Sequence, residues 1–408
     1  MVVRRILAAL AAAAGSALLT PGSTVELQAA IPLYGVQVVA SSESTALRTV
    51  YAMHARRDGR VLVTDTAANA ILLFDASLKT FTTLGDTGSA GHAGGLLPFG
   101  RDSAALVDRV ARALVIVGPD GRFGRVIAPL RPADMQFYSG AGNGAPGFDS
   151  SGRLFYRGAV GPPNTIQLDN VAARDTTVTL PDSAPILRAD LEKRRLDTVA
   201  MVRVPSDRRR ARSESGQLRL TSFLNPLPVI DEWALYPDGT VAVARGRDYH
   251  IDWFSPDGKK VSSPPMAFDW LRLTDGDKKR IVDSVQRMVD SVWGQTVSRV
   301  TSAARARTLA GLRLQVVSAS DLPDYVPAVK PGSPIRVDPR GRLWIVPATS
   351  LLHPDGTVFD IVSREGRVVE RVQLPAGRVL NAFGGGDTLF LSVPSPRFTR
   401  IEKAVVTR

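Results

Sequence analysis

Apolar side chains recur along the chain in short alternating runs, cut at Asp-Gly, Pro-Asp-Gly and Ser-Gly dipeptides, which is the period-two pattern of strands joined by tight turns. Residues 58–84, DGRVLVTDTAANAILLFDASLKTFTTL, read as turn, strand, polar loop, strand, turn and strand, a small antiparallel meander. The same grammar returns over residues 238–261, where Val241, Val243, Ile251 and Trp253 alternate with less apolar neighbours and Asp238-Gly239 and Asp257-Gly258 supply the turns. Weaker copies stand at residues 102–126, 151–158, 340–372 and 385–401. First turns near Gly59, Ser103, Gly152, Gly239, Gly341 and Gly386 are spaced by about 44, 49, 87, 102 and 45 residues, the repeat length of a propeller blade where no insertion intervenes. The predicted fold is all-β, a six-bladed β-propeller with a helical insertion between blades four and five. The run Leu33 to Ala40, LYGVQVVA, is expected to lend an outer strand to the last blade and so close the ring.

The two long intervals hold the extra material. In residues 274–293 the spacing of Ile281, Val285, Met288 and Val292 predicts an amphipathic helix, with Thr274 and Asp277 as its start signal. A second helical stretch is expected at about 298–312, within an insertion of about 274–320, before the next blade opens near Tyr325. Residues 186–219 carry ten basic and five acidic side chains, and RRRAR at 208–212 is expected to be a solvated loop.

Composition narrows the chemistry. The absence of cysteine excludes disulfides, thiolate zinc sites and thiol catalysis, while 35 Gly and 28 Pro argue against helical bundles. Arg4 and Arg5 precede an uncharged Ala/Leu run over residues 6–19, which predicts a signal peptide at 1–30, cut near Ala29 or Ala30, and one domain over 31–408. The expected location is secreted or periplasmic, with no membrane span after cleavage. A net charge of +12 favours acidic partners such as anionic envelope polymers, although 43 of the 51 basic residues are arginine, a bias that base composition explains. Aromatic content of 6% counts against an outer-membrane barrel.

Asp58-Gly59, the strand Val61 to Asp65, Asn69, Ile71 and Phe74-Asp75 together resemble an NHL-type blade. The wider chain is similar to the secreted bacterial six-bladed propellers of the TolB-like type, in blade-sized pieces covering about half its length. What this resemblance implies is a fold, since such propellers include binding scaffolds, calcium-dependent lactonases and peptidyl-amide lyases.

Local enzyme motifs are missing: none of His54, His92, His250 and His353 is followed by Glu, and neither a GxSxG elbow nor a Walker A loop occurs. GAGNGAPG at 140–147 reads as an inter-blade loop, and DGDKKR from Asp275 as a helix start rather than a calcium loop. Calcium chemistry would need oxygens from several blades, for which Asp65, Asn69 and Asp108 are the metal candidates and Asp231, Glu232, Asp248 and Asn381 further contributors. Turn and strand-end hydrogen bonding is the plainer account of most of them. The loops between second and third strands should gather at the channel mouth, at residues 65–70, 108–113, 157–165, 245–250, 347–358 and 393–398. They hold Arg109, Arg112, Arg157, Arg245, Arg247 and Arg397, able to clamp anions, in numbers close to those chance would place there. RGRDYHIDW adds Asp248 and His250 to Arg245 and Arg247, for which a structural hydrogen bond competes with an acid/base pair. Trp233, Trp253 and Trp344 are expected in blade cores. The leading expectation is a non-catalytic propeller without a cofactor that binds a protein or an anionic ligand or glycan, with no specific nucleic acid. The alternative is a calcium-dependent hydrolase or lactonase with its site in the central channel.

Overall fold

The computed structural model describes residues 31–42, 47–84, 94–100, 102–139, 142, 144–160, 176–206, 208–214, 217–298, 300–302, 309 and 311–408. The leader expected at 1–30, much of the loop at 157–165 and most of the expected second helical stretch lie outside these residues.

The chain is mostly β, in small antiparallel sheets. Sheet I comprises Val50–Ala55, Val61–Asp65, Ala70–Phe74 and Phe81–Thr83, and sheet II comprises Leu96–Phe99, Ser103–Asp108, Ala113–Val117 and Phe123–Ile127. Sheet III takes Gly147–Phe148, Leu154–Arg157, Ser183–Asp190 and Arg195–Arg203, and sheet IV takes Glu232–Leu235, Val241–Arg245, His250–Phe254 and Lys260–Ser262. An eight-stranded sheet follows, composed of two halves, V (Arg336–Val337, Leu343–Ile345, Gly356–Val362, Val368–Pro375) and VI (Val379–Phe383, Thr388–Pro394, Thr399–Thr407). The strand Leu33–Ser41 joins them, antiparallel to Thr399–Thr407 and, over Leu33 and Tyr34 alone, parallel to Val368–Pro375. The N-terminal strand thus reaches the sheet formed by the C-terminal end, as its sequence suggested, and also bridges to the sheet before it.

Strands such as Val61–Asp65 and Ala113–Val117 are buried on both faces, because each sheet lies between two others. Leu62, Ile71 and Leu73 of sheet I pack on Leu96, Leu106 and Val115 of sheet II. Val61, Val63 and Phe74, from the opposite face of sheet I, pack on Phe390 and Ile401 of sheet VI. Similar clusters join II to III through Leu114 and Tyr156, III to IV through Phe155 and Trp233, IV to V through Ile251 and Leu343, and V to VI through Trp344 and Leu391. The succession closes on itself, which is the packing of a β-propeller. The first strands gather at the inner rim, where Val50–Ala55 meets Leu96–Phe99 and Val379–Phe383, and Glu232–Leu235 meets Arg336–Val337. Trp233, Trp253 and Trp344 are all core side chains.

Tight turns fall where the Gly pattern puts them. Gly59, Gly152, Gly239, Gly341 and Gly386 turn the first strand of a sheet into its second with positive φ, and in sheet II the turn is carried by Gly100, just before Ser103.

The insertions depart most from expectation. Thr176–Thr179, Arg208–Glu214, Gln217–Leu224 and Leu312–Val316 form a further four-stranded sheet assembled from three separate stretches of chain. RRRAR is therefore strand, not loop: Arg208 to Glu214 pair residue by residue with Phe223 to Gln217. A helix, α1, spans Asp275–Ser298 and packs Ile281, Val285 and Val289 on Leu314 and Val316 of this sheet. Thr274 and Asp277 start it reciprocally, the Asp277 amide donating to Thr274 Oγ1 at 3.2 Å and the Thr274 amide to Asp277 Oδ2 at 2.9 Å. Sheet V opens at Arg336 rather than near Tyr325.

Candidate functional site

Four hairpins repeat one turn, three of them between second and third strands and one, residues 190–195, between the third and fourth strands of sheet III. Residues 65–70, 108–113, 190–195 and 245–250 each place a non-glycine residue at positive φ in the fifth position, Asn69 (49°), Arg112 (52°), Arg194 (51°) and Tyr249 (50°). The first residue explains why. Asp65 is buried and its carboxylate accepts the amides of Arg48, Thr49, Ala67 and Ala68 at 2.5–3.1 Å. Asp108, also buried, accepts the amides of Val110 and Ala111 at 2.9 and 2.8 Å. Asp65 and Asp108 are thus committed to ordering their own turns, and Asn69 supplies a left-handed backbone position. Among the described residues no group of three or more His, Asp or Glu is placed together to hold a metal ion.

In sheet IV the first position is Arg245, and the wiring is rearranged around it. Arg245 donates Nε to Asp252 at 2.7 Å and Nη1 to Asp231 at 2.7 Å and to the Met201 carbonyl at 2.9 Å. Burial alone would lower its pKa, but the bonds to Asp252 and Asp231 outweigh it and the net direction is upward. Burial likewise pushes Asp252 up, but Ser262, Arg245 and Lys260 hydrogen bonds bring its carboxyl down to about 2. His250 sits between two carboxylates, Nδ1 at 2.8 Å from Asp248 and Nε2 at 3.3 Å from Asp252. Gly246 passes so close to Ile230 that a Cβ would lie 1.9 Å from its carbonyl oxygen. Tyr249 turns inward, fully buried, and donates its hydroxyl to Asp360 of sheet V at 2.7 Å. Of the sequence candidates, Arg245, Asp248 and His250 therefore form one hydrogen-bonded web. Arg247 is exposed beside it, and Arg109 and Arg112 are exposed on the hairpin of sheet II.

Arg157 ends the second strand of sheet III and lines a cavity of about 60 Å³ with Arg203, Asp231, Glu232, Trp233 and Gly332. Glu232 opens the first strand of sheet IV, on the side of the ring that carries the 245–250 hairpin. Burial raises its carboxyl to about 8, against the Arg157 charge and the Gly332 amide, which lower it, and with Asp231 adding to the rise. A neutral carboxylic acid, able to donate a hydrogen bond, thus stands beside a guanidinium at neutral pH.

Along the same rim, burial lowers the Arg336 guanidinium to about 10. Among the described residues its one hydrogen bond runs from Nη1 to the Asn381 carbonyl of sheet VI at 3.0 Å, and it has no carboxylate partner. Burial also lowers the pKa of Lys330, whose ammonium has no partner among those residues either. Both side chains are half-buried, and cations so placed are ordinarily paired. Arg336 and Lys330 escaped the sequence reading, which sought arginines in loops. The available signal was a cation set between Ile335 and Val337 in the strand before the Asp338-Pro339-Arg340-Gly341 turn.

No protein-family model matches the chain, and no curated protein matches it. Among solved structures it is similar to virginiamycin B lyase from Staphylococcus aureus (10% identity, 91% of this chain and 99% of that one, TM-score 0.39). It is also similar to a member of the DUF4221 family from Bacteroides vulgatus (10%, 91% and 98%, TM-score 0.47). The calcium-binding protein regucalcin from Agrobacterium tumefaciens is a third (10%, 92% and 96%, TM-score 0.40). Likeness of this degree carries nothing about activity.

Proposed function

We propose that the protein is an exported six-bladed propeller, its helical insertion lying between blades four and five, that binds a small anionic ligand at the inner rim. Six sheet units packed in cyclic order support the blade count, and the Arg4-Arg5 leader pattern supports export. The observation that carries the binding reading is Arg336, a half-buried guanidinium with a single carbonyl partner among the described residues. An anion entering the rim would give it the bidentate pairing the fold withholds. The test is the melting temperature of the mature chain with acetate, succinate, citrate or phosphate added at about 10 mM. At least one should raise the transition, and Arg336→Met should abolish that rise while melting no lower than the unliganded parent, since it removes a half-buried charge that no carboxylate neutralises. A parent whose melting is indifferent to all four probes would overturn the reading.

A second reading, proton transfer by the rim, is favoured by Glu232. Its carboxyl titrates at about 8 beside Arg157 in a cavity, the environment of a general acid. Hydrolysis of any ester or lactone in a substrate panel, lost in Glu232→Gln with folding intact, would establish it. Retention of that hydrolysis in the variant would remove it.

A further inference from the structure

The insertion sheet places basic side chains in register on one face. Arg210 lies opposite Thr221, and Thr221 opposite Arg313, so these three form a row across adjacent strands. Two residues further along, Arg212 lies directly opposite Arg219. With side chains alternating between faces, both rows project to the same side, and the rows stand roughly 7 Å apart along the strands. Together they line a depression of about 310 Å³ bounded by Arg210, Arg212, Arg219, Thr221 and Arg313. The opposite face is closed, Leu314 and Val316 being buried on α1. Arg210, Arg212 and Arg313 are exposed, and neither Arg212 nor Arg313 has a carboxylate partner among the described residues.

Like charges directly opposite one another destabilise a sheet, and Arg212 facing Arg219 is such a pair. The fold places four guanidiniums around one hollow, and the two without a carboxylate partner among the described residues, Arg212 and Arg313, stand one in each row, so two separate anionic groups suit the face better than a single phosphate or sulfate. Phe223, the aromatic ring on this side, is covered by the Arg208 guanidinium at 4.6 Å, so no open ring is offered on which a base could stack. Arginine forks match the planar or tetrahedral oxygens of carboxylate and sulfate groups.

We infer that this face is a binding site for a linear anionic glycan, two of whose charged groups, spaced by roughly 7 Å, occupy the two rows. The site is separate from the inner rim and does not depend on the reading given for it.

The experiment is titration of the mature chain with a heparin decasaccharide, repeated with Arg212→Ser/Arg313→Ser and with Arg122→Ser/Arg367→Ser, two exposed arginines elsewhere. Both double variants lose the same charge. The expected result is a loss of affinity of about tenfold or more in the first pair and less than about twofold in the second. Arg212→Lys/Arg313→Lys, which keeps charge and removes the fork, should lie between them and guards against a folding defect in the serine pair. Equal losses in the two serine pairs would reduce the effect to net charge and overturn the site. So would an oligothymidylate of equal charge that binds as tightly with the same dependence on Arg212 and Arg313, since the face would then be a nucleic-acid surface.

Discussion

Replacing Glu232 by Gln should make the protein more stable in alkali. The folded carboxyl titrates at about 8 and an ordinary glutamate at 4.5, so between those values the native state holds a proton that the unfolded chain releases. A raised carboxyl pKa means that the group's unfavourable contribution is absent below pH 4.5, grows as pH rises, and levels off above about 8. At about 1.4 kcal/mol per pH unit the interval amounts to about 5 kcal/mol, of which about 3 kcal/mol is already present at pH 7. Glutamine keeps a carbonyl to accept from the Gly332 amide and has nothing to ionise, so the variant should lack this slope. Urea unfolding of both proteins at intervals from about pH 5 to about pH 9 measures it. The curves should start close together and separate by several kcal/mol, the variant above. Parallel curves across that range would refute the argument, because they would mean that the buried carboxyl finds compensation on ionising, from Arg157 or from water. Arg157→Met sharpens the test: removing the charge that lowers the Glu232 pKa should move the wild-type inflection to higher pH.

Two further outcomes follow from the same packing. His54 is buried with Nε2 unpartnered, and desolvation, aided by the Arg56 charge, lowers it from 6.5 to about 4. Its stabilisation is whole above pH 6.5 and is lost as pH falls through about 4, a difference of about 3 kcal/mol that His54→Met should not show when the two proteins are melted in parallel. Gly246→Ala must push the chain away from the Ile230 carbonyl, 1.9 Å from the new Cβ, at a cost of more than about 2 kcal/mol by denaturant unfolding. A smaller change would mean that the hairpin shifts freely and that Asp231 and Arg245 hold it loosely.

Strand runs and turn glycines were legible in the sequence because both are local: the apolar β-branched-rich run Val61 to Val63 needs only neighbours, and positive φ at Gly59 or Gly239 needs only the absence of a Cβ. The helix was legible for the same reason, since Thr274, Asp277, Ile281 and Val285 sit on consecutive turns. The closing strand could be guessed from its apolar run, but its second pairing, with Val368–Pro375, could not. Of the candidate site, Arg157 and the Arg245–His250 hairpin were found, while the reasons for their placement were not.

What only the tertiary structure decided is which distant residues share an environment. Arg208 to Arg212 read as a solvated run because strand propensity there is weak, yet pairing to Gln217–Leu224, and of that strand to Leu312–Val316 some ninety residues on, makes them the face of a sheet. Arg336 looks like any strand-end charge in sequence, and Glu232 stood out there only as an oxygen that could contribute to a calcium site. Their pKa directions come from sheets packed on both sides, which strip water from the carboxyl and the guanidinium alike. Periodicity is a property of a segment and survives in one dimension. Desolvation and charge pairing depend on the closure of the ring, and no stretch of sequence carries that alone.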